Sequence, residues 1–256
     1  MGITRRHLQI ALGLLWLFDG VLQAQPFMFT RGFATQVIDA VGQGQPGFVS
    51  APVHWASTVI AAHPAAWNVP FAVIQVALGV GLLVRRAARP ALAASIAWAL
   101  GVWFLGEGLG GMAGGGASLT AGAPGSALLL AVLAAAAWPD RDAARESPAP
   151  WLPFAWAVVW VGAAVFEALA PNSSALLAAA EYLVGVGALA PRTRVAAAAL
   201  GLALSLGVWV LGQDLGGLAT GRATDPNTGP VLALMSIALL GDRRLQWGER
   251  PVAAAA

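Results

Sequence analysis

The sequence predicts an all-α membrane protein of about eight transmembrane helices, arranged as two parallel-repeat four-helix bundles with short interfacial helices on the outer face. Three observations favour this fold class. Of its 256 residues, 58% are hydrophobic and only 10% are charged, whereas soluble domains carry about 25% charged residues. Several apolar runs approach the roughly 20 residues that cross about 30 Å of hydrocarbon. A long stretch of the first half also recurs in the second half.

Proline and glycine residues separate the apolar runs and so delimit the predicted helices. The first run follows Arg5 and Arg6, as in a signal peptide, but no small-residue cleavage site follows it, so we predict a retained helix. The eight predicted helices are approximately 7–24, 67–84, 90–109, 124–138, 151–170, 175–190, 193–216 and 229–241.

An insertion at 26–66 separates the first two predicted spans and should lie on the outer surface. We predict two short amphipathic segments within it. The second is a helix that should begin near Ser50–Pro52, where a capping residue precedes proline, and end near Ala62. The two amphipathic segments are typical of interfacial helices, and they either form a lid over the first bundle or a passive surface loop. The first segment places four apolar residues on one face: Phe29, Phe33, Val37 and Val41.

The arginines predict the orientation of the chain. With eight spans, only Arg31 and Arg222 fall on one side, and the arginines of both tails and of the other joints fall on the opposite side. Because arginine-rich segments stay in the cytoplasm, both termini are predicted to be cytoplasmic in a bacterial-type plasma membrane. The arginine excess is small and divided between apolar segments, so it does not indicate binding to nucleic acid.

Two nearly identical stretches, GVWFLGEGLGG at 101–111 and GVWVLGQDLGG at 207–217, belong to a longer internal repeat. Residues 71–135 align with 177–241 without a gap, so that Trp103 meets Trp209 and Pro124 meets Pro230. The sequence therefore predicts a first four-helix unit at 1–140, which contains the exterior insertion, and a second unit at 150–245. An even number of spans in each unit makes the two repeats parallel.

Polar residues within or at the ends of the apolar runs are the candidate ligand-binding residues, because such residues are costly in hydrocarbon and usually face a protein interior or a wet cavity. Helical rise places Glu181 and Gln75 near the midplane and the others nearer the outer boundary. The duplicated Trp103 and Trp209 could stack on a ligand, although packing is the alternative. The candidates are Glu181, Gln75, Glu107, Asp214, Gln213, Glu167, Asp19, Gln23, Trp103 and Trp209.

The candidate acids have no Arg, Lys or His at comparable depth. Three states therefore stay open for them: they are protonated, they bind a cation, or they accept hydrogen bonds. Purely structural roles are also open, since Glu107 and Asp214 could be solvated at the outer interface and Glu181 could be a neutral acid in helix packing.

The composition excludes several kinds of site. The chain has no Cys, which excludes thiolate zinc sites, iron–sulfur clusters and cysteine-linked haem within it. His54 and His63 do not have the spacing of a helical zinc motif, so no metal site is predicted. No cofactor is evident, although a quinone is possible, and we do not expect the chain to be an enzyme on its own.

The four-helix unit resembles the DoxX-like membrane proteins. The resemblance is carried by the first helix with its exterior insertion, the glycine-rich helix QVALGVGLLVRR, the arginine turn, and a third helix that ends in a polar glycine-rich stretch. It covers each half once, and this chain departs from the family by being doubled and by lacking Cys. The resemblance implies a link to quinone-coupled oxidation or to membrane redox complexes, and it transfers no catalytic residues.

Three functions are compatible with the sequence. The first is a multi-pass inner-membrane protein with outward-facing polar cavities, which binds a quinone-like or other small ligand beside partner redox subunits in the lipid bilayer. The second is a small-solute or proton-linked transporter, and the third is a structural membrane subunit without a ligand. The inner halves of the predicted spans are nearly all apolar, which argues against conduction through the protein.

Overall fold

The computed structural model describes residues 2–139, 147–170 and 173–241, and all regular structure in these ranges is helical. The α-helices are α1 Arg5–Gln23, α2 Gly47–Ala62, α3 Pro64–Leu83, α4 Ala88–Leu105, α5 Ser126–Ala136, α6 Leu152–Leu169, α7 Ala175–Gly187, α8 Arg194–Gly207 and α9 Thr228–Leu240. Each of the eight helices predicted as spans has a counterpart, in α1 and in α3 to α9.

Two predicted helices end earlier than expected. The helix predicted at 90–109 ends at Leu105, and the one predicted at 193–216 ends at Gly207 and continues only as a π-helical segment, Val208–Gly212. In both places the following backbone turns left-handed, which a continuing α-helix cannot do.

Four segments are long and apolar enough to cross a membrane: Pro64–Leu83, Arg85–Leu105, Leu152–Leu169 and Arg194–Gly212. Three shorter apolar helices accompany them, namely α5, α7 and α9. The described part of the chain is therefore an all-helical protein with the length and composition of a membrane protein.

The helices pack in the same order in both halves. Helix α1 packs along α3 and α4 along α5, just as α6 packs along α7 and α8 along α9, while α5 and α9 join the halves. Glycines allow the close approaches: a Cβ on Gly79 would lie 2.8 Å from the Gly13 carbonyl oxygen, and one on Gly185 would lie 3.0 Å from that of Ala157. Small residues commonly serve this purpose between membrane helices.

Arginines cap helix ends at one end of the protein, which we call the inner end, following the predicted orientation. Arg6 donates hydrogen bonds to the carbonyl oxygens of Leu82, at 2.8 Å, and Leu83 at the end of α3. Arg194 donates in the same way to Ala188 at the end of α7, at 2.6 Å. Cations stabilise the carbonyl ends of helices, so these contacts fix the inner turns.

The insertion folds over the outer end of the first half as three short helical segments, Pro26–Phe29, Phe33–Ile38 and Asp39–Gly42, followed by α2. The predicted start of α2 at Ser50–Pro52 is wrong, because the helix begins at Gly47 and Pro52 lies inside it. The earlier start brings another turn into the insertion's own core, which is formed by Met28, Phe33, Ala34, Ile38, Val49, Val53 and Ile60.

The duplicated stretches leave their helices in the same way. Leu109 and Gly110 have φ of 58° and 64°, and Leu215 and Gly216 have φ of 53° and 72°. A Cβ on Gly110 would lie 2.1 Å from the carbonyl oxygen of Pro124, so only glycine fits there. Each left-handed turn thus holds the outer loop that follows it in contact with the residues just before the next helix.

The indole nitrogens of the duplicated tryptophans donate equivalent hydrogen bonds, from Trp103 to the Pro124 carbonyl oxygen and from Trp209 to that of Pro226, both at 2.8 Å. The ungapped alignment paired Pro124 with Pro230 and is wrong at this point. The second outer loop is shorter than the first, so Pro226 occupies the equivalent position.

Candidate functional site

A cavity of about 250 Å³ lies in the first half, between α1, α3, α4 and the insertion. The insertion supplies one wall, formed by Phe33, Val37, Ile38, Ala56 and Ile60. Two of the residues predicted on one apolar face, Phe33 and Val37, therefore lie over the cavity. The insertion has the position of a lid rather than of a passive surface loop.

Two residues that line the cavity each have a buried polar atom without a hydrogen-bond partner among the described residues: Gln75 at Oε1 and Trp98 at its indole nitrogen. The Gln75 side chain is 7% exposed. Leaving a buried polar group without a partner costs about 1–3 kcal/mol. The Phe71 ring packs against Trp98 with ring centroids 5.6 Å apart. The residues lining the cavity thus include one acceptor and one donor whose hydrogen-bonding capacity is not used within the described residues, beside aromatic rings.

The amide of Gln23 also lines the cavity, but it already has partners. Its side-chain nitrogen donates to Asn68 Oδ1, and the Asn68 amide donates back to the Gln23 carbonyl oxygen at 2.9 Å. Both residues are buried. This reciprocal pair joins the end of α1 to α3 and holds the cavity wall in place.

A polar pocket of about 260 Å³ adjoins the cavity, and the two share Val37, Gly106 and Thr224. Glu107 lies in this pocket, beyond the end of the Arg85–Leu105 span. Its Oε1 accepts hydrogen bonds from Ser126 Oγ at 2.7 Å and from the Ala127 backbone nitrogen at 3.1 Å.

Burial, together with the nearby Asp225 carboxylate, raises the pKa of the Glu107 carboxyl to about 7, even though the hydrogen bonds from Ser126 and Ala127 oppose the shift. Arg222 lines the same pocket but is engaged elsewhere. Its guanidinium donates to Gln36 Oε1 at 3.1 Å and lies 4.8 Å from the centroid of the Phe27 ring. Glu107 is therefore a group that exchanges a proton near neutral pH.

The outer loops extend across the boundary between the halves. The second loop reaches the first half, where the Gln25 side chain donates to the Ala223 carbonyl oxygen at 3.1 Å. The first loop reaches the second half, where Gln213 Nε2 donates to the Leu119 carbonyl oxygen at 2.7 Å. Each outer loop therefore contacts the other half as well as its own.

The remaining predicted residues lie away from the cavity. Glu181 is fully buried in α7, and neither carboxyl oxygen has a partner among the described residues. Asp19 is buried in α1, and its Oδ1 likewise has no partner there. Glu167 is buried and accepts a hydrogen bond at 2.9 Å from the backbone nitrogen of Ser174, just before α7.

Two residues of the second duplicated stretch have different environments. Gln213 is buried and fully engaged: its Nε2 also donates to Thr228 Oγ1 at 2.6 Å, and its Oε1 accepts from the Gly229 nitrogen at 3.2 Å. Asp214 is exposed. Trp103 and Trp209 are held by their hydrogen bonds to the outer loops, which favours packing over stacking on a ligand.

Sequence reasoning missed Trp98, Phe71 and three residues of the second outer loop, Arg222, Thr224 and Asp225. The sequence does hold a signal for Trp98, which lies within an apolar run. Tryptophans that anchor a helix lie at the membrane boundaries instead, so a tryptophan within a run indicates another role. No sequence signal links the second loop to the first half.

Within the described ranges, no three His, Cys, Asp or Glu side chains are placed to hold a metal ion. The chain matches no protein-family model, no curated protein and no solved structure. The cavity and its neighbouring pocket are therefore the basis for a functional proposal.

Proposed function

We propose that the chain is a multi-pass inner-membrane protein that binds a small lipid-soluble ligand, such as a quinone, in the cavity of its first half. The observation that carries this proposal is that two residues lining a mostly apolar cavity, Gln75 and Trp98, each have a buried polar atom without a partner among the described residues. Ligand pockets have this composition, in which a few polar groups orient a mainly apolar ligand.

A quinone-like ring matches the chemistry of these walls. The Trp98 N–H can donate to a quinone carbonyl, and Gln75 Oε1 can accept from the hydroxyl of the reduced form. The Phe71 and Trp98 rings offer surfaces for stacking. The volume of about 250 Å³ lies just below the usual range of about 300–1,000 Å³, so it suits one ring system rather than a whole lipid.

In this proposal the chain supplies the binding site and a partner subunit supplies the electrons. No cysteine is available for a redox centre. The resemblance to DoxX-like proteins supports such an assembly, since those proteins are linked to quinone-coupled oxidation. We therefore propose a subunit of a membrane redox complex.

The proposed topology has eight crossings, with both termini in the cytoplasm of a bacterial-type cell, and the two units are duplicates of one another. The equivalent hydrogen bonds of Trp103 and Trp209 and the equivalent packing order of the two halves support the duplication. Reporter fusions at Met1 and Ala256 should both give cytoplasmic signals, and a fusion inserted at Gly44 in the insertion should give the opposite signal. Opposite signals from the two termini would contradict eight crossings.

A proton-linked transporter is the second candidate. It is favoured by Glu107, which has a pKa of about 7 and lies in a pocket that adjoins the cavity. It is opposed by the closed inner end, where Leu82 and Leu92 are 0% exposed in the core. Proton flux into proteoliposomes that depends on Glu107 would favour transport over binding alone.

The proposal is tested by purifying the protein in lipid nanodiscs and identifying bound quinones by mass spectrometry of an organic extract. Losing one hydrogen bond of about 1 kcal/mol should lower the bound quinone about fivefold in Trp98→Phe. Trp55→Phe is the control, because Trp55 is 63% exposed on α2. No quinone in the wild-type extract, or equal amounts in wild type and Trp98→Phe, would overturn the proposal.

A further inference from the structure

We propose that the cavity opens sideways into the lipid, and that its ligand enters from the outer leaflet through a portal between α3 and α4 at Ala97 and Gly101. The inference rests on the proposed function and adds the route by which the ligand enters. A lateral portal admits an uncharged molecule dissolved in the membrane and excludes a solute that arrives from water.

The exposure of the wall carries this inference. Among the described residues that line the cavity, Ala97 and Gly101 alone are exposed, and the others are buried or half-buried. Both belong to the exposed stripe of α4 that also includes Ala93 and Leu100. Because this stripe belongs to the apolar Arg85–Leu105 segment, which is long enough to cross a membrane, it faces acyl chains.

The backbone at Gly101 leaves the opening free. A Cβ built there would have no atom within 4 Å, whereas one on Gly81, near the inner end of α3, would lie 2.9 Å from the Ala91 Cβ. On the inner side of Gly101, the Phe71 and Trp98 rings close the gap between α3 and α4. The opening is therefore confined to the outer half of the helices, next to the unpartnered Trp98 nitrogen.

The cavity wall is buried under the insertion and at the end of α1. Phe33 is 4% exposed and Ile60 is 7% exposed under the insertion, and Gln23 is 3% exposed at the end of α1. The neighbouring polar pocket meets the cavity at Val37 and Thr224, which are half-buried. A ring that enters from lipid would thus keep its apolar body in the cavity and turn a polar edge toward this pocket.

The absence of cysteine gives a direct test of what surrounds the portal, because one introduced thiol is the only thiol in the chain. A nitroxide on Gly101→Cys should be relaxed strongly by oxygen, which concentrates in lipid, and weakly by a water-soluble nickel chelate. Gly47→Cys, exposed at the start of α2, is the water-side control. Stronger relaxation by nickel than by oxygen at position 101 would overturn the portal, whether or not any quinone binds.

Blocking the portal tests entry itself. Gly101→Leu should fold, because leucine favours a helix over glycine and the site has free space. With menadione as the probe in nanodiscs, association followed through the Trp98 contribution to fluorescence should slow about tenfold, as expected when access to a site is restricted. The control is Gly207→Leu at the repeat-equivalent position, which also has no atom within 4 Å.

The two arms separate failure of the portal from failure of the proposed function. Binding of menadione with equal association rates in wild type and Gly101→Leu would overturn the portal and leave the quinone site intact. A wild-type protein that does not bind menadione would overturn the quinone proposal, and the nitroxide at position 101 would still decide whether the cavity opens to lipid.

Discussion

Replacing Gln75 with leucine should separate ligand binding from stability. In the ligand-free protein the buried Oε1 of Gln75 has no partner in the part of the chain that the structure describes, so this atom contributes a desolvation cost without a compensating hydrogen bond. Leucine has a similar size and no polar atom. We therefore expect Gln75→Leu to weaken quinone binding and to leave the ligand-free protein as stable as wild type or more stable.

The expected magnitude follows from the hydrogen bonds involved. Removing an unpartnered buried acceptor recovers at most about 1–3 kcal/mol of unfolding free energy. Losing the hydrogen bond to the ligand costs about 1 kcal/mol, or roughly a fivefold increase in the dissociation constant. Unfolding free energies are measured in quinone-free bicelles on protein from which bound quinone has been extracted, and binding is measured with menadione.

Gln9 offers a matched control in α1. It is also a buried glutamine, but its side chain donates to the Ala137 carbonyl oxygen at 3.0 Å. Gln9→Leu should therefore destabilise the protein by about 1–3 kcal/mol, because it leaves that oxygen unpaired. If Gln75→Leu destabilised the ligand-free protein as much as Gln9→Leu does, Gln75 would have a structural role and our reasoning about the cavity would be refuted.

Two further predictions concern the duplicated stretches. Because burial raises the folded-state pKa of Glu107 from 4.5 to about 7, the folded state binds more protons in this window, and stability should fall as the pH rises through it. The difference in unfolding free energy between about pH 5 and pH 8 should disappear in Glu107→Gln and should become larger in Gln213→Glu. If neither variant changed this difference, the pKa assigned to Glu107 would be contradicted. An alanine in the left-handed conformation costs roughly 1–2 kcal/mol of unfolding free energy, and Gly115→Ala, which has open space around it, should cost no more than that. Gly110→Ala should cost more, because its Cβ would clash with the Pro124 carbonyl oxygen. Equal losses of stability in the two variants, measured by thermal unfolding, would contradict the clash.

The sequence predicted the positions of the helices well, because proline and glycine residues delimit long apolar runs. It predicted the outer loops poorly, since glycine-rich segments have no periodicity, and the pairing of Pro124 with Pro230 failed for this reason. The same rule, a polar residue within an apolar run, selected both Gln75 and Glu181. Depth alone cannot distinguish a side chain that faces a cavity from one that is enclosed by packed helices, and only Gln75 faces the cavity.

The contribution of the second half to the site could not be predicted from local pattern. Thr224 and Arg222 follow the second duplicated stretch, and they reach the first half only because the outer loops cross between the halves. Trp98 was missed because tryptophans are expected as boundary anchors. Its indole nitrogen becomes a candidate only when the structure leaves it without a partner.

The cavity depends on a difference between the halves, namely the insertion that forms one of its walls. Glu181 occupies in α7 the repeat position of Gln75, but no described segment equivalent to the insertion covers the outer end of the second half. There Leu176 is 83% exposed and Leu169 is 73% exposed. Glu181 is fully buried in α7. The insertion therefore supplies one wall of the cavity beside Gln75 in the first half, and the second half contributes to it through its outer loop.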